Sequence, residues 1–402
     1  MNAKWVIRFS LFLGMLLLLT SCLNGRELSD LAIVTGIGID KVKGKDEFRV
    51  TFQVVNPSAT AKSTGATSGE STITTYSSSE RTIFGALRKT SQKASRQLFF
   101  AHTQLVVVGE EMARNGIQDI FDIFERSHEL RLTSTVLIAR GTDAGSILKV
   151  LIPVESIPSV GLAKKASNTA KLWGESRHIT VFELIKTVSG EGDLSISGVE
   201  IAGDWEEGMK KTNLEQTQVK AQIVLTGLGV FKDGKLKGWM EGEEARGAVW
   251  VQNKLKESSV NIDANDDHKA IAINVILSKT KIKTDFEGEV PVLHVSIQEE
   301  GKVDETQGFV DLSKRKEIAK LEDKLEAVTK AEALESLKAA QRMKSDIFNF
   351  GNELKRTHPK KWGEVSGHWD DLFASGKLDV QVESYIISTG MRLKPYLSNK
   401  KK

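Results

Sequence analysis

Three segments in the amino-terminal half decide the fold class. Residues 98–108 read LFFAHTQLVVV, residues 117–124 read IQDIFDIF and residues 132–139 read LTSTVLIA. The first and third are short apolar runs, which predicts strands. The second repeats its apolar residues at the spacing of one helix face, and these are Ile117, Ile120, Phe121 and Phe124. Strand, helix and strand in this order predict a sheet covered by helices.

The same pattern continues on both sides of these segments. Leu31–Ile39 and Phe48–Val55 are apolar runs typical of strands, and Leu194–Ile201 is predicted to be a closing strand. Residues 56–80 are dominated by Ser, Thr, Gly and Ala, which predicts a long exposed loop or a polar hairpin arm. We therefore predict an amino-terminal α/β domain over residues 22–202 that contains the polar loop 56–80.

Two further domains are predicted after this one. The middle domain covers residues 203–262, and its strongest signal is Asp233-Gly234 between two apolar runs, which favours the two-residue turn of a β-hairpin. A carboxy-terminal domain follows over residues 263–402, with strand-like runs and a long charged helix predicted over residues 313–350. The expected fold class is α+β, with three mixed α/β domains that each pack a sheet with helices.

The amino terminus has the pattern of a secretory signal peptide. Lys4 and Arg8 precede the apolar run Phe9–Leu19, and small residues follow that run up to Cys22. The run is shorter than the ~20 apolar residues that a membrane-spanning helix needs, and no later segment approaches this length. We therefore expect no transmembrane helix in the mature protein.

Cys22 is the single cysteine of the chain and follows the predicted signal peptide, residues 1–21. Leu19-Thr-Ser-Cys22 resembles the bacterial lipobox, in which the thiol receives a diacylglycerol; an ordinary signal peptide with a chance cysteine is the alternative. Two acyl chains contribute at most on the order of 20 kcal/mol of membrane affinity, whereas each Lys or Arg at a membrane surface contributes about 1 kcal/mol. We therefore expect membrane lipid to hold the protein through acylated Cys22 on the outer face of the cytoplasmic membrane.

Charge and cysteine content exclude several classes of protein. The chain has 56 Lys and Arg against 53 Asp and Glu, and removal of Lys4 and Arg8 with the signal peptide leaves 54 against 53. Nucleic-acid binding needs a clear excess of basic residues, so it is not expected. One cysteine excludes a disulfide framework and a thiolate-cluster zinc site within one chain.

A search for catalytic and ligand-binding motifs finds none. The phosphate-binding glycine patterns, the H-E-x-x-H zinc motif and the G-x-S-x-G elbow are absent from the sequence. Asp263, Asn265 and Asp267 begin like a calcium loop, but His268 stands where glycine is needed and Asn274 where a bidentate Glu is needed. We expect no catalytic residue, no cofactor and no metal site.

His102 lies inside the first apolar run and is interpreted as a hydrogen-bonded core histidine. The alternative is a pH-sensitive or ligand-binding group. No Cys, Asp or second His stands nearby in the sequence, which favours the core interpretation.

Several blocks of the chain resemble the Ger(x)C family of spore-germination lipoproteins, the C subunits of nutrient germinant receptors. The blocks are Arg26–Asp40, Arg96–Glu110, Ser197–Glu200, Gly229–Trp239 and Glu244–Gly247. The carboxy-terminal pattern of the family is similar at Trp362, Trp369, Asp370 and Phe373. The resemblance covers essentially the whole chain, with the blocks in the family's order.

The resemblance implies three α/β domains, no enzymatic activity, and assembly with two integral membrane germinant receptor subunits in the spore inner membrane. Asp233 and Gly234 are candidate contact residues for these partners. The alternative function is a solute-binding lipoprotein of a transporter, although strand-helix alternation fades after about residue 200. A surface-anchored hydrolase is the third hypothesis, and it lacks a recognisable nucleophile or metal set.

Overall fold

The computed structural model describes Trp5 and residues 30–56, 71–127, 129–190, 192–263, 270–307 and 310–390, apart from the side chain of Phe121. Cys22 and the predicted signal peptide, except Trp5, lie outside the described residues.

Nine strands of the described chain form the first sheet. They are β1 (Leu31–Lys41), β2 (Phe48–Val55), β3 (Ile73–Glu80), β4 (Gln97–Phe99), β5 (Leu105–Gly109), β6 (Thr135–Ala139), β7 (Leu194–Gly203), β8 (Ala221–Lys232) and β9 (Lys235–Met240). Their order is β3-β2-β1-β5-β6-β7-β8-β9, and β4 pairs with the start of β1. The central strands β1, β5, β6 and β7 are parallel, and antiparallel strands flank them on both sides.

Helices cover both faces of this sheet. They are α1 (Ile83–Lys89), α2 (Glu110–Asn115), α3 (Gln118–Arg126), α4 (Ala144–Lys149), α5 (Pro158–Leu172), α6 (Val181–Ser189) and the short α7 (Trp205–Gly208). Val106 and Val108 of β5 point into the core shared with α1, α2, α3 and α6, whereas Leu105 and Val107 point into the core shared with α4 and α5. Burial on both faces explains why the central strands are continuously apolar.

The second sheet has the order β10-β11-β12-β13. Its strands are β10 (Ser258–Asp263), β11 (Ala270–Glu287), β12 (Val290–Thr306) and β13 (Lys377–Ser388), and the helices of this part are α8 (Gly242–Val251), α9 (Arg315–Arg342), α10 (Phe350–Thr357), α11 (Pro359–Val365) and α12 (Trp369–Ser375). Three 3₁₀ turns complete the described elements, at Thr90–Gln92, Lys211–Asn213 and Ser366–His368. One core joins this sheet and its helices to Leu228 and Val230 of β8.

The expected fold class is confirmed, because the described chain consists of mixed sheets packed with helices. Among the described residues, no helix combines the length and the apolar character that crossing a membrane requires. Within residues 203–262, β8 and β9 belong to the first sheet and β10 belongs to the second. The division into three domains stays a prediction.

Several predicted elements differ in their bounds. The apolar run 98–108 is interrupted, because β4 and β5 both pair with β1 and a turn separates them. His102 lies on this turn, exposed and in ring contact with Phe99 at 5.7 Å, so the core interpretation is wrong. Ile73–Glu80, inside the predicted polar loop, pairs with β2 as a hairpin arm, and residues 57–70 lie outside the described part.

The long helix predicted over residues 313–350 is shorter. Helix α9 ends at Arg342, and Lys344 and Asn349 follow with φ angles of 51° and 68°. A residue in the left-handed region cannot continue a right-handed helix, so the chain turns before α10 begins.

Candidate functional site at the 232–235 hairpin

Asp233 and Gly234 form the turn between β8 and β9. Their φ angles are 52° and 69°, and Lys232 and Lys235 pair across the turn. Two consecutive residues with positive φ are typical of the tight hairpin turn that Asp-Gly favours. The Asp233 residue is exposed, whereas Gly234 is half-buried.

The turn is held against the start of α3. The Gln118 amide donates a 2.6 Å hydrogen bond to the Asp233 carbonyl oxygen, and the Ile117 backbone N–H donates a 3.0 Å bond to the Gly234 carbonyl oxygen. A Cβ atom on Gly234 would collide with the Gln118 side chain. Gly234 is therefore part of an internal contact, and its role in binding a partner stays a prediction, as does that of Asp233.

Lys232 connects the hairpin to distant parts of the chain. Its ammonium group lies 2.6 Å from an Asp370 carboxylate oxygen at the start of α12 and 3.4 Å from Asp193, which precedes β7. Burial would lower the pKa of Lys232, but the hydrogen bond to Asp370 and the charge of Asp193 outweigh burial and raise it. Lys232 is therefore a charged link between the first sheet and the carboxy-terminal helices.

Asp193 and Asp346 form the buried side of this cluster. The Asp346 carboxylate accepts hydrogen bonds from the backbone N–H groups of Phe350 (3.1 Å) and Gly351 (2.7 Å) and from the Trp369 indole (3.0 Å). The Asp346 backbone N–H donates to the Asp193 carboxylate at 2.8 Å. Burial raises the pKa of Asp346, and burial also raises the pKa of Asp193 to about 6, against the opposing charge of Lys232.

A polar cleft of about 550 Å³ opens beside this cluster. Besides the charged residues, Asn349, Asn352 and Trp362 line it. The described residues contain no group of His, Cys, Asp and Glu that could hold a metal ion. The arrangement can pair charges and hold two regions of the chain together.

A second buried ion pair joins α8 to α9. Both carboxylate oxygens of Glu332 accept hydrogen bonds from the Arg246 guanidinium, one of them at 2.8 Å from Nε, and the Trp250 indole donates to Glu332 at 3.4 Å. A Cβ atom on Gly247 would collide with the Glu332 carbonyl oxygen, so the glycine permits the close approach of the helices. The block Glu244–Gly247 therefore serves an internal interface.

Sequence reasoning did not find Asp193 or Asp346. They are 153 residues apart, lie outside the family blocks and follow no periodic pattern. Lys232 and Asp370 lie inside segments that resemble the family, but nothing in the sequence indicates that they form a pair. The one local signal is Lys232 itself, because a charged residue at the end of an apolar strand indicates a buried partner.

The comparisons with known proteins agree with this architecture. Residues 24–201 match the family model described as spore germination protein N-terminal domain, and residues 226–390 match the one described as spore germination B3/GerAC like, C-terminal. Spore germination protein KC of Bacillus subtilis (strain 168) is 33% identical over 391 residues, which are 96% of each chain. Spore germination protein B3 of the same organism is 24% identical over 392 residues, covering 96% of this chain and 99% of the relative.

A solved structure shares the fold. The crystal structure of the GerBC protein superposes with a TM-score of 0.56 and 21% identity, covering 88% of this chain and 97% of that one. The two family models together cover most of the chain, and the KC relative matches it nearly end to end. The chain belongs to the GerAC-like, or Ger(x)C, family of spore germination proteins.

Proposed function

We propose that this chain is a non-enzymatic subunit of a nutrient germinant receptor, anchored to the outer face of the spore inner membrane by lipid on Cys22. It acts by assembling with two integral membrane subunits of the receptor. The observation that carries the proposal is the match of both family models, in order, to residues 24–201 and 226–390. The 33% identity with spore germination protein KC supports the same function.

The geometry is consistent with a protein that works through its surfaces. Three charged residues of the family blocks, Lys232, Arg246 and Asp370, pair with other residues of the chain. They stabilise the arrangement of the two sheets, and the surfaces that these sheets present are then available to partners. The Asp233 side chain at the exposed tip of the hairpin is one such candidate contact.

The anchor is tested by metabolic labelling with palmitate. We expect the wild-type chain to incorporate the label and to fractionate with membranes, because two acyl chains bind a bilayer far more tightly than surface charge does. The Cys22→Ser variant should lose both properties. Continued labelling of that variant would reject Cys22 as the anchor.

Assembly is tested by affinity purification of the tagged chain from dormant spores. Two multi-spanning receptor subunits should co-purify with it, and deletion of the gene should remove the response of spores to at least one nutrient in a strain without overlapping receptors. Purification with an ATPase and a permease would instead support a transporter.

A further inference from the structure

The first strand of the body begins close to the predicted lipid anchor. Asp30 lies eight residues after Cys22, so a fully extended connection spans at most about 28 Å. β1 starts at Leu31, which pairs in parallel with Gln97 of β4. The anchored cysteine therefore lies within this distance of the edge of the first sheet where β1 begins.

Basic residues line this edge. Arg96 immediately precedes β4 beside the entry of the chain at Leu31, and Arg131 immediately precedes the connection into β6. The Ser134 hydroxyl donates to the carbonyl oxygens of Thr103 and Arg131, at 2.9 Å each, so the turn that carries exposed His102 lies beside Arg131.

The start of α6 adds an aromatic side chain and a further cation. The Phe182 backbone N–H donates to the Leu132 carbonyl oxygen at 2.8 Å, which places the helix start next to Arg131. Phe182 is 56% exposed although it is a large apolar residue. Lys186 follows four residues later, on the same side of the helix, and is exposed as well.

Within the described residues, no carboxylate lies within ion-pairing distance of Arg96, Arg131 or Lys186. Glu183 of α6 accepts a 3.1 Å hydrogen bond from the Thr180 backbone N–H in a capping box, so it is engaged at the helix start. Asp30 is the exposed acid at the entry of the chain.

A surface with cations beside an exposed aromatic residue binds favourably to an anionic bilayer. The ring enters the headgroup region, and the cations attract lipid phosphates. We propose that Arg96, His102, Arg131, Phe182 and Lys186, the tether-end patch, lie against the anionic headgroups of the membrane that holds Cys22. The proposal rests on the lipid anchor of the proposed function and adds the orientation of the body on the bilayer.

Depth-dependent fluorescence quenching tests the orientation on the full-length acylated chain. Cys22 is the only native cysteine, and its proposed acylation blocks the thiol, so one engineered cysteine can be labelled specifically. Ser95→Cys places the label beside the tether-end patch, and Lys45→Cys places it in the turn after the other end of β1, roughly 33 Å away. The protein is reconstituted into nanodiscs of phosphatidylglycerol with a nitroxide quencher on the lipid headgroups.

We expect the label at position 95 to lose fluorescence and the label at position 45 to keep it. The triple change Arg96→Gln, Arg131→Gln and Lys186→Gln should shift the equilibrium away from the docked orientation by about 100-fold, at about five-fold per charge. The matched triple change Lys279→Gln, Lys281→Gln and Lys330→Gln removes the same charge from exposed sites elsewhere and should leave the quenching unchanged.

Other outcomes overturn the inference. Equal quenching at both positions, or quenching that is the same in phosphatidylcholine nanodiscs, would reject docking on anionic lipid. Protection of position 95 only when the membrane subunits are added, without lipid quenching, would assign the patch to a protein partner. Intact mass measurement separates the two proposals: an acylated chain without preferential quenching rejects the orientation alone, whereas a chain without acyl groups rejects the anchor and the orientation together.

Discussion

At the scale of single residues, Gly234 is required for two reasons, its backbone conformation and the close approach of a neighbouring side chain. Its φ angle is 69°, and its α-carbon faces the Gln118 amide. Gly288, in the turn between β11 and β12, has a similar φ of 64° but no atom near the position of a Cβ. The two glycines therefore separate backbone strain from the contact with Gln118.

Gly234→Ala is expected to reduce the free energy of unfolding by about 2–3 kcal/mol, and Gly288→Ala by about 1 kcal/mol. Both changes strain the left-handed backbone, but only the first forces Gln118 away from the turn. Urea denaturation of the two variants measures the difference. The Gln118→Ala change should recover part of the loss at position 234, and equal effects of the two alanines would contradict the docking of the hairpin.

Glu299 is a buried acid at the contact between β12 and α9. Burial raises its pKa to about 7 from the ordinary value of 4.5, against the hydrogen bonds from Ser384 and Thr329, and the charges of Glu332 and Glu326 raise it further. The Ser384 hydroxyl lies 2.6 Å and the Thr329 hydroxyl 3.0 Å from the carboxyl group. The folded protein therefore binds a proton here more tightly than the unfolded chain.

A raised pKa in the folded state means that the stabilising proton is lost as the pH rises. The contribution of Glu299 is fully present below about pH 4.5 and should decline by at most about 3 kcal/mol up to about pH 7, where this carboxyl ionises. Glu299→Gln should flatten this part of the curve of unfolding free energy against pH. Asp193, with its pKa near 6, leaves a residual slope of the same sign. An unchanged curve in the variant would show that Glu299 titrates normally.

At the scale of secondary-structure elements, α9 covers the open edge of the second sheet. The Ser384 and Ile386 backbone N–H groups of β13 donate to the carboxylates of Glu326 (3.0 Å) and Glu322 (2.9 Å), which are one turn apart on α9. Alternate N–H groups of an edge strand face outward, so carboxylates spaced by four residues on a helix satisfy two of them in succession. The helix replaces a neighbouring strand at this edge.

The double change Glu322→Ala and Glu326→Ala is expected to expose the edge of β13. We expect self-association at micromolar concentration, because an unpaired edge pairs readily with another chain, together with a loss of about 2–4 kcal/mol in unfolding free energy. Light scattering coupled to size exclusion measures the association. Glu317→Ala with Glu335→Ala removes two acids from the same helix and should leave the chain monomeric; self-association of this control would mean that lost charge alone is responsible.

At the scale of the whole molecule, the cluster of Lys232, Asp193 and Asp370 links the regions matched by the two family models. Lys232 is 17% exposed, so its removal leaves Asp193 buried without its cation. Lys344 pairs with the neighbouring acid Asp371 at 2.7 Å, but its side chain is 61% exposed. The two lysines therefore allow a largely buried Lys–Asp ion pair to be compared with an exposed one.

Lys232→Met is expected to reduce the free energy of unfolding by about 2–4 kcal/mol, because an unpaired buried carboxylate is costly. Hydrogen exchange should become faster at the backbone N–H groups of Phe350 and Gly351, whose acceptor Asp346 depends on the same cluster. Lys344→Met should change neither quantity measurably, because the exposed pair is screened by solvent. Equal effects of the two changes would reject the link between the regions.

Local sequence signals were sufficient for most elements and for the family, but not for every element boundary. Segments with the apolar spacing of a helix alternate with apolar runs typical of strands, and this indicated sheets packed with helices. Such patterns are readable because each buried face sets the spacing of the apolar residues along the chain. Asp233-Gly234 indicated the hairpin because only a few residue pairs accept positive φ at two successive positions. The break of the strand near His102 was missed because β4 and β5 satisfy their hydrogen bonds on β1, which lies over sixty residues earlier in the chain.

The sequence by itself determined the class of the fold, the turn chemistry and the family of this protein, since each depends on residues that are neighbours along the chain. Only the tertiary structure decided the pairing of Lys232 with Asp193 and Asp370, the covering of β13 by α9 and the exposure of Phe182 in the tether-end patch. These features depend on which distant segments of the chain meet in the low-dielectric interior or on one surface. No local periodicity in the sequence indicates which segments meet.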